Sequence, residues 1–310
     1  MNTLRSAFLT LLVLVSPASA QSPEQDALAV VRRLFDAMRA QDTVAMRTTL
    51  DSRARLVATG TNQQGQPTAR TLTIDGWVRS IGSARARLDE RIFDPEIRVD
   101  QNLATVWTRY DFLAGDNFSH CGYDAFQLIQ TGGQWKIVQI ADTQRRSPDS
   151  CGRASAPTAP APPTATDTAA IVTALQRVFD GMRTRDTASI RQAFIPDGVL
   201  IGLQTDAVFP TPIGSWLQSL ARIPDGNEIR EQMVHPEVRI SDNLATIWTW
   251  YDLHMGDRFS HCGIDAAQLV RTVDGWKVAQ ISYTTRRSPC ESPARKSSSS
   301  LPLFPSSGRP

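Results

Sequence analysis

Apolar residues follow a helical period at the start of the chain and an alternating period after it. Six of them recur at spacings of three and four residues, which predicts an amphipathic helix: Ala27, Leu28, Val31, Leu34, Phe35 and Met38. Asp42 and Thr43 then cap a second short helix. Alternation predicts two strands, a short helix at Trp77 and four long strands. We place these strands at about 56–59, 70–74, 87–99, 104–113, 118–129 and 135–142.

Pro95 lies inside the first of the long strands. Proline has no backbone N–H for a sheet ladder, so within sheets it occurs on edge strands or at bulges. We therefore expect that this strand is an edge strand or contains a β-bulge.

The same order of elements occurs twice, because the chain contains a long internal repeat. Segment 118–128 reads FSHCGYDAFQL, and 141 residues later segment 259–269 reads FSHCGIDAAQL. The flanking segments NLATVWT and RRSP also return, as NLATIWT and RRSP. A self-match of this length indicates two copies of one domain. Each copy has about 130 residues, which is enough to bury a core of its own.

The repeat and the local composition together predict the domain boundaries. We place the first domain at residues 24–151 and the second at residues 167–290. The intervening segment 152–166 is rich in Pro, Ala and Thr, as is typical of an extended linker. The tail 291–310 is rich in Ser and Pro and is expected to be disordered.

Residues 1–20 have the pattern of a secretory signal peptide. Arg5 supplies the positive start, residues 7–15 form an apolar run, and Ala18–Ala20 form an A-x-A cleavage site. The apolar run is too short to span a bilayer. We expect cleavage after Ala20, a periplasmic or secreted mature protein, and no membrane contact after cleavage.

The composition is that of an ordinary globular chain and excludes one class of partner. Hydrophobic residues make up 41% and charged residues 21% of the sequence. The formal net charge is +2, and no run of Lys or Arg stands out. Nucleic-acid binding depends on clustered positive charge, so we do not expect a nucleic-acid partner.

The four cysteines fit an oxidising compartment, with two in each copy. Four cysteines allow three connectivities, and the repeat favours the two disulfides within copies, Cys121–Cys151 and Cys262–Cys290. The alternative is a reactive or metal-binding thiol. The four histidines show no metal-ligand spacing with one another or with a cysteine pair, and there is no Gly-rich phosphate loop. We therefore expect no metal and no cofactor.

The closing strands of each copy carry a shared motif. Residues 124–128 read DAFQL and 133–137 read GQWKI, and the second copy has QL at 268–269 and DGWKV at 274–278. With this order of elements, the chain resembles the nuclear transport factor 2-like superfamily, in its SnoaL-like and "putative lumazine-binding" branches. The resemblance implies an α+β fold of two tandem cone-shaped domains, each a curved antiparallel sheet wrapped around about three helices. Because that superfamily includes isomerases, dehydratases, cyclases and members without catalysis, function has to be argued from the site.

The hairpin between the fourth and fifth strands predicts a His–Asp pair. If its turn centres on residues 115–116, residues whose numbers sum to 231 face each other, which places His120 opposite Asp111. The equivalent register in the second copy places His261 opposite Asp252. A His held by a carboxylate can act as a general base. These four residues are the candidate catalytic residues.

Alternation along the strands separates two faces of the sheet. We expect the more uniformly apolar face to meet the helices and line the cone. Its residues are Ala104, Val106, Tyr110, Phe112, Ala125, Ile129, Val138 and Ile140. The His–Asp pair then lies on the outer, convex face, with Trp107, Arg109, Phe126, Trp135, Glu96 and Arg98. Because aromatic and charged residues together are typical of an interface, this face is expected to form an internal pseudo-dimer or a homodimer.

The cavity face is expected to offer hydrogen-bonding groups but no ionisable base. These groups are Tyr110, Thr108 and Gln127, matched in the second copy by Tyr251, Thr249 and Gln268. An apolar pocket with a few convergent polar groups is typical of a small-ligand site. The alternative is that these groups satisfy hydrogen bonds of the core.

Two functional hypotheses follow. The leading one is an exported, non-catalytic protein that binds a small apolar or aromatic ligand in the cone cavity, acts as an interaction module, or does both. The alternative is a SnoaL-like isomerase, dehydratase or cyclase that uses the His–Asp pair. The alternative requires that the His side chain points into the pocket.

Overall fold

The computed structural model describes residues 21–147, 151, 164–205, 207–224 and 228–287. The predicted signal peptide, most of the predicted linker and the predicted tail lie outside these residues. Within the described residues, the chain forms two α+β domains in tandem. Each domain has three helices and one six-stranded sheet.

The helices pack against one face of each sheet, which we call the inner face; the opposite face is the outer face. The first domain contains α1 (Pro23–Arg39), α2 (Thr43–Thr49) and α3 (Ile74–Gly82), and the second contains α4 (Ala165–Thr184), α5 (Thr187–Ala193) and α6 (Ile213–Ala221). Helix α1 begins with a capping box between Ser22 and Gln25. The side chain of Asp42 caps α2, as predicted.

The strands follow the predicted order. In the first domain they are β1 (Leu50–Thr61), β2 (Pro67–Thr73), β3 (Leu88–Asp100), β4 (Leu103–Ala114), β5 (Asn117–Thr131) and β6 (Gln134–Thr143). In the second they are β7 (Phe194–Gln204), β8 (Ala207–Pro212), β9 (Ile229–Ser241), β10 (Leu244–Met255), β11 (Arg258–Thr272) and β12 (Gly275–Thr284). The sheet orders are β2-β1-β6-β5-β4-β3 and β8-β7-β12-β11-β10-β9. All neighbouring strands are antiparallel except β1 with β6 and β7 with β12, which are parallel.

Helix α4 begins inside the segment 152–166 that the composition assigns to the linker. The hydroxyl of Thr164 accepts a hydrogen bond from the backbone N–H of Asp167 at 3.1 Å and so caps the helix. Helix α4 of the second domain therefore begins two residues before the predicted boundary at residue 167.

Each domain has its own apolar core between the helices and the inner face. In the first domain, Phe35 of α1 meets Phe126 of β5 edge to face, with ring centroids 5.9 Å apart. At the end of α1, Arg39 pairs with the largely buried Asp89 of β3 at 2.7 Å. These contacts hold α1 across the sheet, and Phe35 and Phe126 also line a cavity.

Strand β3 confirms the prediction made from Pro95. The strand lies at the edge of the sheet. A register shift between Phe93 and Glu96 places a bulge at the proline, where Asp94 has a φ of 50°. The sequence predicted an edge position or a bulge at Pro95, and the structure has both.

A second bulge, in β5, sets the register of the central hairpin. Next to the turn, the pairing of Leu113 with Phe118 follows the predicted register. Ser119 is then an extra residue in β5, so His120 pairs with Phe112. The second domain has the same bulge. The predicted register is thus correct at the turn and wrong by one residue beyond it.

The outer faces of the two sheets lie against each other. Two apolar clusters between them draw residues from both domains. One contains Val57, Trp107, Ala125, Ala141, Ile195, Leu244, Val270 and Ala279, and the other contains Leu103, Ile129, Val138, Ile201, Leu203, Ile264 and Ala266. We call this contact the inter-sheet interface.

Glutamine side chains form a buried hydrogen-bond network in the inter-sheet interface. Nε2 of Gln127 donates to the carbonyl of Ala266 at 2.8 Å, and Nε2 of Gln268 donates to the carbonyl of Ala125 at 2.9 Å. Nε2 of Gln280 donates to Oε1 of Gln127 at 2.7 Å. Gln127 and Gln268 occupy equivalent positions in the two copies, so each domain donates the same hydrogen bond to the other.

Two ion pairs related by the repeat also cross the interface. Arg98 pairs with Glu237 at 2.8 Å, and Arg239 pairs with Glu96 at 2.7 Å. These side chains are partly exposed, so each pair contributes little stability by itself. Their reciprocal arrangement favours one alignment of the two sheets.

Replacing Gln127 by Ala is expected to lower the free energy of unfolding by about 2–4 kcal/mol. The change leaves the Ala266 carbonyl and the Gln280 amide buried without this partner. Gln64→Ala, at an exposed loop position, is the matched control and should change the free energy of unfolding by less than about 0.5 kcal/mol. Urea unfolding of the oxidised protein measures both values. Equal stabilities of the two variants would contradict the role given to the network.

Candidate functional site

The first domain contains a cavity of about 220 Å³ between its inner face and the helices. Its walls are mainly apolar and include Phe35 of α1, Trp77 of α3 and Phe126 of β5. Its polar wall is formed by the strands: Glu90 of β3, Tyr110 of β4, His120 and Asp124 of β5, and Asp142 and Gln144 at the end of β6. The cavity therefore combines aromatic walls with several ionisable groups.

The predicted His–Asp pairs do not form. Beyond the Ser119 bulge, Asp111 pairs with Cys121 and its side chain lies on the outer face, whereas His120 lies on the inner face. His261 and Asp252 are separated in the same way, because Asp252 pairs with Cys262. Since side chains alternate along a strand, one inserted residue is enough to part each pair.

His120 instead packs among aromatic rings at the cavity wall. Its ring stacks on Phe112 with centroids 4.7 Å apart and meets Tyr110 edge to face at 5.7 Å. Oγ of Ser119 lies 3.0 Å from its Nδ1. The requirement that His120 faces the pocket is met, but without the partner predicted for it.

The same bulge reverses the predicted faces of other β5 residues. Ala125 and Ile129, expected on the inner face, lie in the inter-sheet interface together with Val138. Phe126, expected on the outer face, belongs to the helix-side core. On β6, Trp135 lies in the helix-side core and not on the outer face as predicted. A further bulge between β5 and β6 accounts for both Trp135 and Val138. The faces predicted for β4 are correct, since Val106 lies in the core and Trp107 in the interface.

Gln127 and Gln268, predicted to bind ligand in the cavities, lie on the outer face. Both are buried in the hydrogen-bond network between the sheets. Their predicted placement in the cavities is therefore wrong, because the one-residue bulges in β5 and β11 turn both side chains to the outer face.

The other predicted ligand-binding residues lie on the inner face and make hydrogen bonds to the backbone. The hydroxyl of Tyr110 donates to the carbonyl of Thr143 at 2.8 Å, and that of Thr108 donates to the carbonyl of Phe93 at 3.0 Å. In the second domain, Tyr251 donates to Thr284 at 2.8 Å and Thr249 to Val234 at 3.1 Å. These bonds agree with the alternative in which the hydroxyls satisfy the core.

The first cavity also contains a pair of carboxyl groups that sequence reasoning missed. Glu90 and Asp124 hydrogen-bond to each other. Burial raises the pKa of both groups; the charge of Glu90 raises the pKa of Asp124 further, and the charge of Asp142 raises that of Glu90. The pair therefore ionises at a higher pH than isolated carboxyl groups do. Asp124 is 2% exposed, and its Oδ2 has no hydrogen-bond partner among the described residues.

The repeat contained a signal for this pair. Glu231 and Asp265 occupy the equivalent positions 141 residues later. They form the same pair in the second domain, and burial again raises the pKa of both. An acidic residue that recurs within an apolar strand motif, as Asp124 does, could have been identified from the sequence, but the one-residue register error placed it on the outer face.

A third carboxyl group, that of Asp142, occurs in the first cavity. Its Oδ2 accepts a hydrogen bond from Gln144 at 2.8 Å, and its Oδ1 is buried without a partner among the described residues. Burial raises the pKa of Asp142 to about 6. Burial, and then the positive charge of Arg146, lower the pKa of His120 to about 4. One cavity thus holds a neutral imidazole and a carboxyl group that titrates close to neutrality.

The second domain has a smaller cavity, of about 140 Å³. Its wall includes Glu231, Asp265 and His261 in the same places. Tyr283 stands where the first domain has Asp142. The two cavities therefore have the same ionisable groups on β3 to β5 and on β9 to β11. They differ on the last strand of each sheet, β6 and β12.

The Cys121–Cys151 disulfide is present as predicted. Cys262 is also disulfide-bonded, but its predicted partner, Cys290, lies outside the described residues. Within the described ranges, no three His, Cys, Asp or Glu side chains are placed to hold a metal ion. No helix in the same ranges is both long and apolar enough to cross a membrane.

The chain matches the family described as "Putative lumazine-binding" twice, at residues 22–141 and 166–284. One match falls on each domain, and together they cover most of the chain. The chain belongs to this family. Membership confirms the predicted resemblance to the "putative lumazine-binding" branch, in two tandem copies. No protein with a curated function matches the chain significantly.

Solved structures resemble single domains of this family member. A cystatin-like protein from Nostoc punctiforme is 14% identical, with 42% of this chain and 97% of that chain covered and a TM-score of 0.35. A nuclear transport factor 2-like protein from Cytophaga hutchinsonii is 14% identical, with coverages of 40% and 100% and a TM-score of 0.35. A "putative dehydratase" from Streptomyces avermitilis is 18% identical, with coverages of 40% and 98% and a TM-score of 0.34. At these identities the likeness concerns the fold and not the chemistry.

In this "Putative lumazine-binding" family member, Asp142 and His120 affect stability in opposite directions. The pKa of Asp142 is raised from 3.8 to about 6, so its contribution is present below pH 3.8 and is lost as the pH rises through about 6. The pKa of His120 is lowered from 6.5 to about 4, so its contribution is present above pH 6.5 and is lost as the pH falls through about 4.

Two variants separate these effects. Relative to the wild type, Asp142→Asn is expected to gain up to about 3 kcal/mol of unfolding free energy as the pH rises from about 4 to about 7, at about 1.4 kcal/mol per pKa unit. His120→Gln should gain relative stability as the pH falls over the same range. Urea unfolding at a series of pH values gives both differences. The same pH slope for both variants would refute the assignment.

Proposed function

We propose that the chain binds a small molecule in the cavity of its first domain, through an aromatic or apolar body and at least one hydrogen-bond donor. The observation that carries this proposal is the presence of two buried carboxylate oxygens without partners, Oδ2 of Asp124 and Oδ1 of Asp142, beside a cavity of about 220 Å³. A buried acceptor without a hydrogen bond is costly. A ligand that donates to these atoms removes that cost.

The remaining wall favours a flat, partly aromatic ligand. Phe35, Trp77, Phe112 and Phe126 line the cavity, and aromatic side chains offer broad contact surfaces to a ring. The family description is consistent with binding of a small molecule. A largely apolar pocket with a few polar groups is also the usual form of such a site.

Native mass spectrometry of the mature, oxidised protein tests this proposal. We expect extra mass that disappears on denaturation. Ala58→Phe should abolish it, because Ala58 lines the first cavity and a larger side chain would fill the space. Ala170→Phe, on the exposed side of α4, is the matched control and should retain the extra mass. Retention by both variants would contradict binding in the first cavity.

A second candidate function is proton transfer to or from a bound substrate, as in an isomerase, dehydratase or cyclase. It is favoured by the opposite pKa shifts of His120 and Asp142 in one cavity. A neutral imidazole and a carboxyl group that titrates near neutrality can serve as base and acid.

Proton transfer has a distinct readout. A molecule released from the native protein should incorporate deuterium at carbon when it is returned to the wild-type protein in D2O. Asp142→Asn should slow this exchange at least tenfold, and Asp116→Asn, at an exposed turn, should not. Absence of exchange with the wild type would leave binding as the function and exclude proton transfer at carbon.

We further propose that the protein is exported and acts as an internal pseudo-dimer. The Cys121–Cys151 disulfide supports an oxidising compartment. Contacts between the outer faces support pairing within one chain, because these faces bury each other. Sedimentation of the mature protein should give a compact monomer. A stable dimer in which each outer face pairs with another chain would overturn the internal version.

A further inference from the structure

We propose that each chain binds one ligand that carries a basic nitrogen, held in the first domain by Asp142 together with the Glu90–Asp124 pair, and that Tyr283 occupies the equivalent space in the second domain. This inference rests on the proposed function of the first cavity. It adds the chemical class of the ligand and the number bound per chain.

The two cavities differ at one pair of matched positions on neighbouring strands. In the first domain, Ala58 of β1 pairs with Asp142 of β6. In the second, Gly202 of β7 pairs with Tyr283 of β12 at the equivalent place. At these two positions, the second domain therefore has glycine and tyrosine where the first domain has alanine and aspartate.

Gly202 is required by the position of the Tyr283 ring. A Cβ at residue 202 would lie 2.8 Å from the hydroxyl oxygen and 3.0 Å from Cζ of Tyr283. Real Cβ atoms do not approach other atoms this closely, so an alanine like Ala58 would displace the ring. The ring packs against the helix-side core and also contacts Tyr251 edge to face, with centroids 6.5 Å apart.

The exchange makes the second cavity smaller and less acidic. Its volume is about 140 Å³, against about 220 Å³ in the first domain. Both domains keep the carboxyl pair, as Glu90–Asp124 and Glu231–Asp265. Only the first adds a third carboxyl group beside that pair. Tyr283 thus places an aromatic ring of the protein itself beside the pair in the second domain.

The charges around the first cavity favour a cation that donates hydrogen bonds. Every titratable side chain of its wall comes from the sheet: Arg70 of β2, Glu90 of β3, Tyr110 of β4, His120 and Asp124 of β5, and Asp142 of β6. The helices contribute Leu34, Phe35, Met38, Trp77, Ser80 and Ile81, which carry no charge. Three carboxyl groups face one cation, the exposed Arg70.

A basic nitrogen suits this wall better than an anion or a neutral acceptor. Oδ2 of Asp124 and Oδ1 of Asp142 are both acceptors without partners among the described residues. An ammonium or amidinium group supplies donors and a positive charge, which form strong hydrogen bonds with carboxylates in a buried site. A carboxylate ligand would meet three acidic groups and no donor at these two atoms.

Binding of such a ligand should be coupled to ionisation of the wall. A cation favours the ionised form of the carboxyl groups beside it. Since burial raises the pKa of Asp142 to about 6, affinity should rise as the pH rises through about 6 and level off above it. His120 is neutral in this range and does not oppose the cation.

Three probes of similar shape test the ligand class: benzamidine, benzamide and benzoate. Isothermal titration of the full, oxidised chain at pH 7.5 should detect benzamidine at one per chain, at least tenfold tighter than benzamide, with no benzoate bound. Equal affinity for benzamidine and benzamide, two benzamidines per chain, or binding of none of the three would each overturn the inference. The proposed function has a different test: absence of the extra mass in native mass spectrometry would contradict it.

Variants test the two residues that distinguish the domains. Asp142→Asn should weaken benzamidine binding at least tenfold and remove its rise with pH, whereas the exposed Asp116→Asn control should leave both unchanged. The double variant Gly202→Ala, Tyr283→Asp should bind a second benzamidine. If this double variant does not fold, the reciprocal double variant Ala58→Gly, Asp142→Tyr provides the test. It should no longer bind benzamidine in the first domain. Unchanged stoichiometry in the folded variants would overturn the role of Tyr283.

Discussion

One extra residue in each long central strand determines which side chains face the helices and which face the other domain. Ser119 in β5 and its equivalent in β11 shift the pairing by one residue. Because side chains alternate between the faces of a sheet, the shift turns His120 and Asp124 towards the helices and Gln127 towards the other domain. The cavity wall and the inter-sheet interface both follow from this insertion.

The carboxyl groups of the first cavity are the least expected feature of an otherwise apolar interior. A buried charge is costly, and proteins usually avoid it by pairing or by keeping the group protonated. Glu90 and Asp124 do both, since they share a hydrogen bond and their pKa values are raised. Asp142 accepts a hydrogen bond from the amide of Gln144, and burial raises its pKa. A ligand that donates hydrogen bonds in this cavity would offset the cost of burying these groups.

The two copies make several reciprocal contacts where they touch, whereas their cavities differ at a matched pair of positions. The bond from Gln127 to Ala266 has its counterpart from Gln268 to Ala125, and the ion pairs of the interface are also reciprocal. A change on one side of this interface would leave a buried group on the other without its partner. The cavities have no such mutual constraint, and Asp142 in one corresponds to Tyr283 in the other.

The sequence by itself determined the two copies, the order of helices and strands, the bulge at Pro95 and the Cys121–Cys151 disulfide, because repeat, periodicity and residue chemistry are local properties. It placed Tyr110 and Val106 on the inner face correctly, since β4 alternates without interruption beyond the turn. Only the tertiary structure decided the face of every β5 residue. An extra residue in one strand is visible only against the partner strand, and a one-residue shift exchanges the two faces. That is why the His120–Asp111 pair was predicted and the Glu90–Asp124 pair was missed.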